Sequence, residues 1–199
     1  MQGVIEAIDG AMKSGADLDA IGKRMDDLAI VPTHYWKLWL DSLDCLDGYW
    51  RETVMASMLE IDAKSSICDP LCLDGSTLAA CETVHPSSCN RAFALMPESN
   101  VSRAVTTMML FGMMTIDVTA YQGDWQYDRI EANRIVSDLV WAESDAWEYI
   151  EAFLKAARRN SICVFAVTAK ALKDPRYEDC RALIVGRYTL ESIVKVDSA

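Results

Sequence analysis

The chain has 199 residues, 51% of them hydrophobic and 25% charged, with a formal net charge of −11. That length and balance suit one large globular unit or two small ones and exclude disorder along the whole chain. The acid lies toward the start: residues 1–63 carry five Lys/Arg against twelve Asp/Glu, a distribution that repels phosphate backbones and attracts basic partners.

Helical periodicity dominates the reading in chain order. The opening MQGVIEAIDGAMKSG has no basic segment ahead of a long apolar run, so no signal peptide is expected. Its Val4, Ile5, Ile8 and Met12 fall on one helical face. Asp17 can cap a second helix with Leu18, Ile21, Met25 and Leu28 inward. Pro32 and Thr33 punctuate, and a helix over 34–63 follows, striped by Trp36, Trp39, Leu43, Leu46 and Trp50.

Residues 64–100 break the pattern with three of the five prolines, and only a short helix over 77–85 is expected there. Residues 104–121 are the most apolar stretch; with Asp117 and four threonines inside it, they read as a buried helix rather than a membrane span. Asp124 caps a predicted helix that carries Ile130, Ile135 and Leu139 inward. WEYIEAFLKAARR forms the next helix. In the run ICVFAV a strand competes with a helix, but no second strand stands out to pair with it. A last helix starts at Asp174-Pro175. The expected fold is all-α: an irregular bundle of about seven or eight helices. An acidic helical part covers 1–63, a Cys/Pro-rich insertion 64–100 and a second helical part 101–199, together one compact domain.

The insertion holds the stretch most suggestive of chemistry, CDPLCLDGSTLAACETVHPSSC. Cys68, Cys72, Cys81, His85 and Cys89 stand at Cys-x3-Cys-x8-Cys-x3-His-x3-Cys spacing. Zinc takes four such ligands in a tetrahedron, and a helix would set Cys81 and His85 one turn apart. The x3 spacings depart from the Cys-x2-Cys knuckle. Three readings stand: four unrelated thiols, one structural zinc, or nested disulfides, which a reducing compartment disfavours. Cys45, Cys163 and Cys180 fall on apolar helical faces and read as core. Glu82-x-x-His85 is half of a di-iron motif without its second half, since the only other histidine is His34.

Asp41, Asp44 and Asp47 form an i, i+3, i+6 acidic row, which needs a facing row to hold Mg²⁺ and finds none at Asn133, Ser137 and Trp141. Met108, Met109, Met113 and Met114 read as adaptable core, or as the lining of a pocket for a small apolar ligand. There is no Gly-rich phosphate loop, no Gly-x-Ser-x-Gly and no HExxH.

The segment VIEAIDGAMKSGADLDAIGKRMDDLAIVPTHYWKLW resembles a helix-turn-helix of the TetR repressor type. The resemblance implies a DNA-reading unit ahead of a helical ligand domain. It departs in the long turn over 25–33 and in offering only Lys37 as a cation on the reading helix, where phosphate contacts need more.

Taken together, these features lead to the expectation of a non-enzymatic, cytoplasmic protein without membrane contact. Its acidic residues Asp26, Asp27, Asp41, Asp44 and Asp47 would dock on a protein with a basic, nucleic-acid-binding surface, as a phage-type anti-defence inhibitor, a DNA mimic or an immunity protein does. Direct nucleic-acid binding is not expected, and no cofactor beyond one structural zinc. The alternative is a TetR-like regulator with a small apolar ligand.

Overall fold

A computed structural model of the chain describes residues 50–86, 91–110, 113, 116–122 and 128–195. Five strands form one sheet in the order β3-β2-β1-β4-β5, every neighbouring pair parallel. They are β1 (Ile67–Asp69), β2 (Ala92–Pro97), β3 (Ile116–Tyr121), β4 (Arg134–Asp138) and β5 (Ile162–Ala166). The helices are α1 (Trp50–Met58), α2 (Ser76–Val84), α3 (Val101–Leu110), α4 (Ala146–Ala156), α5 (Ala169–Lys173) and α6 (Glu178–Arg187).

This alternation overturns the all-α bundle. The 64–100 stretch, expected as an insertion, supplies β1, α2 and β2, and β1 is the central strand. The helix expected over 104–121 is two elements, α3 and β3, and the helix expected after Asp124 contains β4 instead. For β1 and β4 the physical cause is burial on both sheet faces. Such strands read as apolar runs without alternation, so periodicity cannot separate them from helix. In ICVFAV the strand wins, paired with β4 from Arg134↔Ile162 to Asp138↔Ala166. The short helix expected over 77–85 is α2. Among the described residues no helix is long and apolar enough to cross a membrane.

Strand alternation divides the core in two. Ile67, Ala92, Ala94, Met96, Val136 and Val164 pack with α1, α2 and α3. Cys68, Phe93, Leu95, Ile135, Cys163 and Phe165 pack with α4 and α6. On α4 the i, i+3, i+6 set Trp147, Ile150 and Phe153 is buried, and a side chain such as Phe153, fully buried, contributes roughly 1.5–3 kcal/mol.

The chain runs outward from β1 through β2 to β3, then returns to place β4 on the other side of β1. In open α/β sheets ligands bind at such a reversal, in the crevice outside the carboxyl ends of the strands, here those of β1 and β4.

Candidate ligand site at the strand switch point

Residues that end each strand build the crevice. Asp69 closes β1, with 3% of its surface exposed. Its Oδ1 accepts from Ser137 Oγ of β4 at 2.9 Å and from the Leu71 N–H at 3.2 Å. Burial pushes its pKa up to about 7; those two hydrogen bonds oppose the rise, and the charges of Asp74 and Asp138 add to it. The chain then turns through Asp74, whose Oδ1 accepts from the Ser76 N–H at 3.0 Å and Ser76 Oγ at 2.6 Å. Gly75, at φ +80°, caps α2 in the left-handed region, which glycine enters without a Cβ penalty. Strand, tight glycine turn and helix N-terminus follow one another, the geometry that presents backbone N–H groups to a ligand.

Asp138 ends β4. Its Oδ2 lies 2.6 Å from an Arg51 Nη on α1, and its Oδ1 accepts from the Val140 N–H at 3.0 Å. Burial raises its pKa, and the Arg51 guanidinium is the largest opposing influence. A 3-10 turn, Val140–Asp145, follows. Its Trp141 is 47% exposed, yet it is fixed by an Nε1 bond to the Asp138 carbonyl at 3.0 Å and by Tyr149 at a 5.8 Å ring separation. Glu98 follows β2 with an exposed carboxylate, and Gln122, just past β3, donates to it at 2.6 Å.

In the same turn Glu143 sits at φ 46°, ψ −115°, where a side chain costs about 1–3 kcal/mol. Its ion pair with Lys170, 3.5 Å and exposed, offsets little. Glu143→Gly is therefore expected to be about 1–2 kcal/mol more stable than Glu143→Ala, against the usual ranking of glycine and alanine. Equal urea midpoints for the two variants would show that the turn is unstrained.

The described cysteines do not gather into one cluster. Cys68 packs in the α4 core, and Cys72 and Cys81 in the α1–α3 core on the other side of the sheet. Burial pushes the Cys68 and Cys72 thiols well above their usual range, opposing the thiolate form zinc binds. His85 is the C-cap of α2, and Cys89 lies outside the described residues. Among the described residues no His/Cys/Asp/Glu group could hold a metal ion, so the expected zinc site is not assembled there. Asp26, Asp27, Asp41, Asp44 and Asp47 all lie outside the described residues. Sequence reasoning missed Asp69, Asp74, Gly75, Glu98 and Asp138. The signal that could have found them was Ile67-Cys68-Asp69 running into Asp74-Gly75-Ser76, a strand, a turn and a capped helix.

No protein-family model matches the sequence, and no curated protein matches it. The fold has relatives among solved structures. An O-methyltransferase from Bacillus cereus in complex with SAH superposes with a TM-score of 0.54 at 15% identity, over 84% of this chain and 86% of that one. A SAM-dependent O-methyltransferase from Thermotoga maritima gives 0.48 at 19% identity, over 62% and 46%. Trm5 from Methanocaldococcus jannaschii in complex with adenosine gives 0.44 at 11%, over 57% and 33%. The chain spans less than half the length of the last two. The Bacillus cereus likeness is one of fold and extends over most of both chains. It overturns the helical, non-enzymatic inhibitor and the TetR-type regulator. The inhibitor expectation rested on charge distribution and missing motifs, and the regulator on an all-helical outline that a five-stranded parallel sheet does not have.

Proposed function

We propose that the chain is an S-adenosylmethionine-dependent methyltransferase that binds its cofactor at the β1/β4 crevice and methylates a small acceptor, with a hydroxyl the first candidate. The observation that carries this reading is the chemistry of the β1–α2 loop at a sheet reversal. A dinucleotide needs a second loop glycine so that backbone can approach its pyrophosphate. Here Leu71 and Cys72 are both buried, and Gly75 is the one glycine in the turn. Asp69, Asp74 and Asp138 repel phosphate and favour a cation. S-adenosylmethionine has no phosphate and carries a sulfonium and an ammonium, so the residues present fit it and disfavour a nicotinamide dinucleotide. The fold likeness to the Bacillus cereus enzyme holding SAH supports the same choice.

When bound, S-adenosylmethionine would supply an activated methyl group: the acceptor oxygen would bond the methyl carbon as the S–CH₃ bond breaks, sulfur would keep that electron pair, and the acceptor proton would pass to solvent. The chain's own residues do the holding. Glu98 directly follows the second strand, near the ~20-residue spacing at which an acid takes a ribose diol in related folds. The N-terminus of α2 would offer N–H groups to the ligand's polar end, and Asp69 and Asp74 would favour its positive charge. The exposed Trp141 indole gives a planar group a surface to lie on.

Calorimetry with SAH tests the reading directly. The wild-type chain should bind it, and Glu98→Ala should weaken binding about 10–100-fold, the loss of one or two charge-assisted hydrogen bonds. Transfer from methyl-labelled S-adenosylmethionine to a panel of small hydroxyl compounds then defines the acceptor. No SAH binding by a folded wild-type chain sinks the proposal.

A further inference from the structure

The α1 side of the crevice is tied to β4 by Arg51. This residue lies in the first turn of α1 and meets two carboxylates, Asp138 Oδ2 at 2.6 Å and Glu52 Oε1 at 3.1 Å. Glu52 is 7% exposed. Asp138 in turn organises the residues after it: Oδ1 accepts from the Val140 N–H and its carbonyl from the Trp141 indole. The 3-10 turn thus hangs on Asp138, and Asp138 on Arg51.

Among the described residues, the charged groups facing Asp138 are Arg51 and Glu52 from α1, Asp74 from the β1–α2 loop and Asp69 from the end of β1. Three are acids and one is a cation. A largely buried carboxylate among three others is driven toward protonation by desolvation and like charge, and a guanidinium in contact opposes both. A neutral Asp138 would grip the Val140 N–H less firmly, since a charged acceptor makes the stronger bond. The turn holding Trp141 would then loosen.

We propose that Arg51 is a positioning residue of the switch-point site. It keeps Asp138 a carboxylate and, through Asp138, fixes the turn that sets Trp141 at the mouth of the crevice. The role in ligand binding rests on reading this edge as the cofactor site; the electrostatic part does not.

The test uses the full chain. Carbon-detected NMR follows the Asp138 carboxyl through a pH titration, with the resonance identified by Asp138→Asn. Arg51→Met should raise the midpoint by at least about one pH unit, a tenfold change in the protonation equilibrium, and Arg51→Lys should restore most of it. The Trp141 indole N–H signal, identified by Trp141→Phe, should broaden or shift in Arg51→Met and return in Arg51→Lys. SAH affinity should fall about tenfold in Arg51→Met, with Arg51→Lys between. A midpoint and an indole signal unchanged in a natively folded Arg51→Met chain overturn the proposal. If that variant does not fold, Arg51→Gln decides, since it removes the charge and keeps a polar side chain: a midpoint above the wild-type value supports the role, and an unmoved one overturns it. A wild-type chain that binds no SAH would end the cofactor reading, while the titration and the indole signal would still decide what Arg51 does.

Discussion

Gly75→Ala is expected to destabilise the chain by about 3 kcal/mol or more and to lower the melting temperature by roughly 10 °C, at ~2–4 °C per kcal/mol for a chain of this size. Two costs add. Residue 75 holds φ +80°, and a side chain in the left-handed region costs about 1–2 kcal/mol. A Cβ there would also stand 2.6 Å from the Ala104 carbonyl oxygen and 2.9 Å from Met108 Cγ. The methionine tip can swing aside. The carbonyl belongs to the backbone of α3, so α2 and α3 must part, and overpacking of this kind costs about 1–3 kcal/mol. The same shift would move the N-terminus of α2 away from the crevice, so SAH affinity should fall together with stability. Gly186 supplies the control. It lies in α6 and an added Cβ would meet nothing within 4 Å, so Gly186→Ala should stabilise by about 0.5–1 kcal/mol. Urea denaturation of both variants is the measurement. A Gly75→Ala chain as stable as wild type would mean that the turn is not built as described.

The contrast between these glycines also shows what could be read from the sequence. Elements with one clean signal were legible. Ser76 ahead of TLAACETV marked α2, and the run WEYIEAFLKAARR marked α4. The strands were not. β1 is three residues long, too short to show any period. AFALMP of β2 consists largely of residues that favour helices in isolation, and becomes a strand because it is paired along both edges, with Ile67 on one side and Ile116 on the other. IDVTAY of β3 was fused with α3 because the two elements form one apolar run. Ile135 and Leu139 stand at an i, i+4 helical spacing by coincidence, and tertiary pairing overrides it. The site was hidden for a related reason. Its residues lie on four different strand ends, and only the sheet order brings Asp69 beside Ser137 and Asp138. The cysteines drew attention to this stretch, yet Cys68 and Cys72 pack into opposite cores, while the Asp and Gly residues between and after them shape the turn.

Asp69→Asn should give a firmer fold and a weaker ligand site in the same variant. Asp69 is buried with a pKa near 7, raised first by desolvation and further by Asp74 and Asp138. In the unfolded chain an aspartate titrates near 3.9. Between about pH 4 and 7 the native state therefore holds a proton that the unfolded state has released. Stability on this account falls as pH rises through that window and levels off above about 7. The full linkage term has an upper bound of roughly 4 kcal/mol. The asparagine variant loses this slope. Its amide oxygen can still accept from Ser137 Oγ and the Leu71 N–H, but its NH₂ group enters a buried site and costs about 1–3 kcal/mol if unmatched. The net expectation is a gain of about 1–2 kcal/mol at pH 8 and none at pH 5, measured by urea unfolding across that range. Wild-type and variant stabilities that run parallel with pH would show that Asp69 titrates as an ordinary carboxylate. The ligand moves in the opposite sense. On the proposed cofactor reading, above pH 7 the wild-type chain presents the ionised Asp69 to the sulfonium and ammonium of S-adenosylmethionine, and the variant cannot, so S-adenosylmethionine affinity in Asp69→Asn should be lowest relative to wild type at high pH. A buried acid that weakens the fold at neutral pH but strengthens the grip on a cation is the trade expected of a site residue, and a purely structural residue at the same position would show the stability gain without the loss of binding.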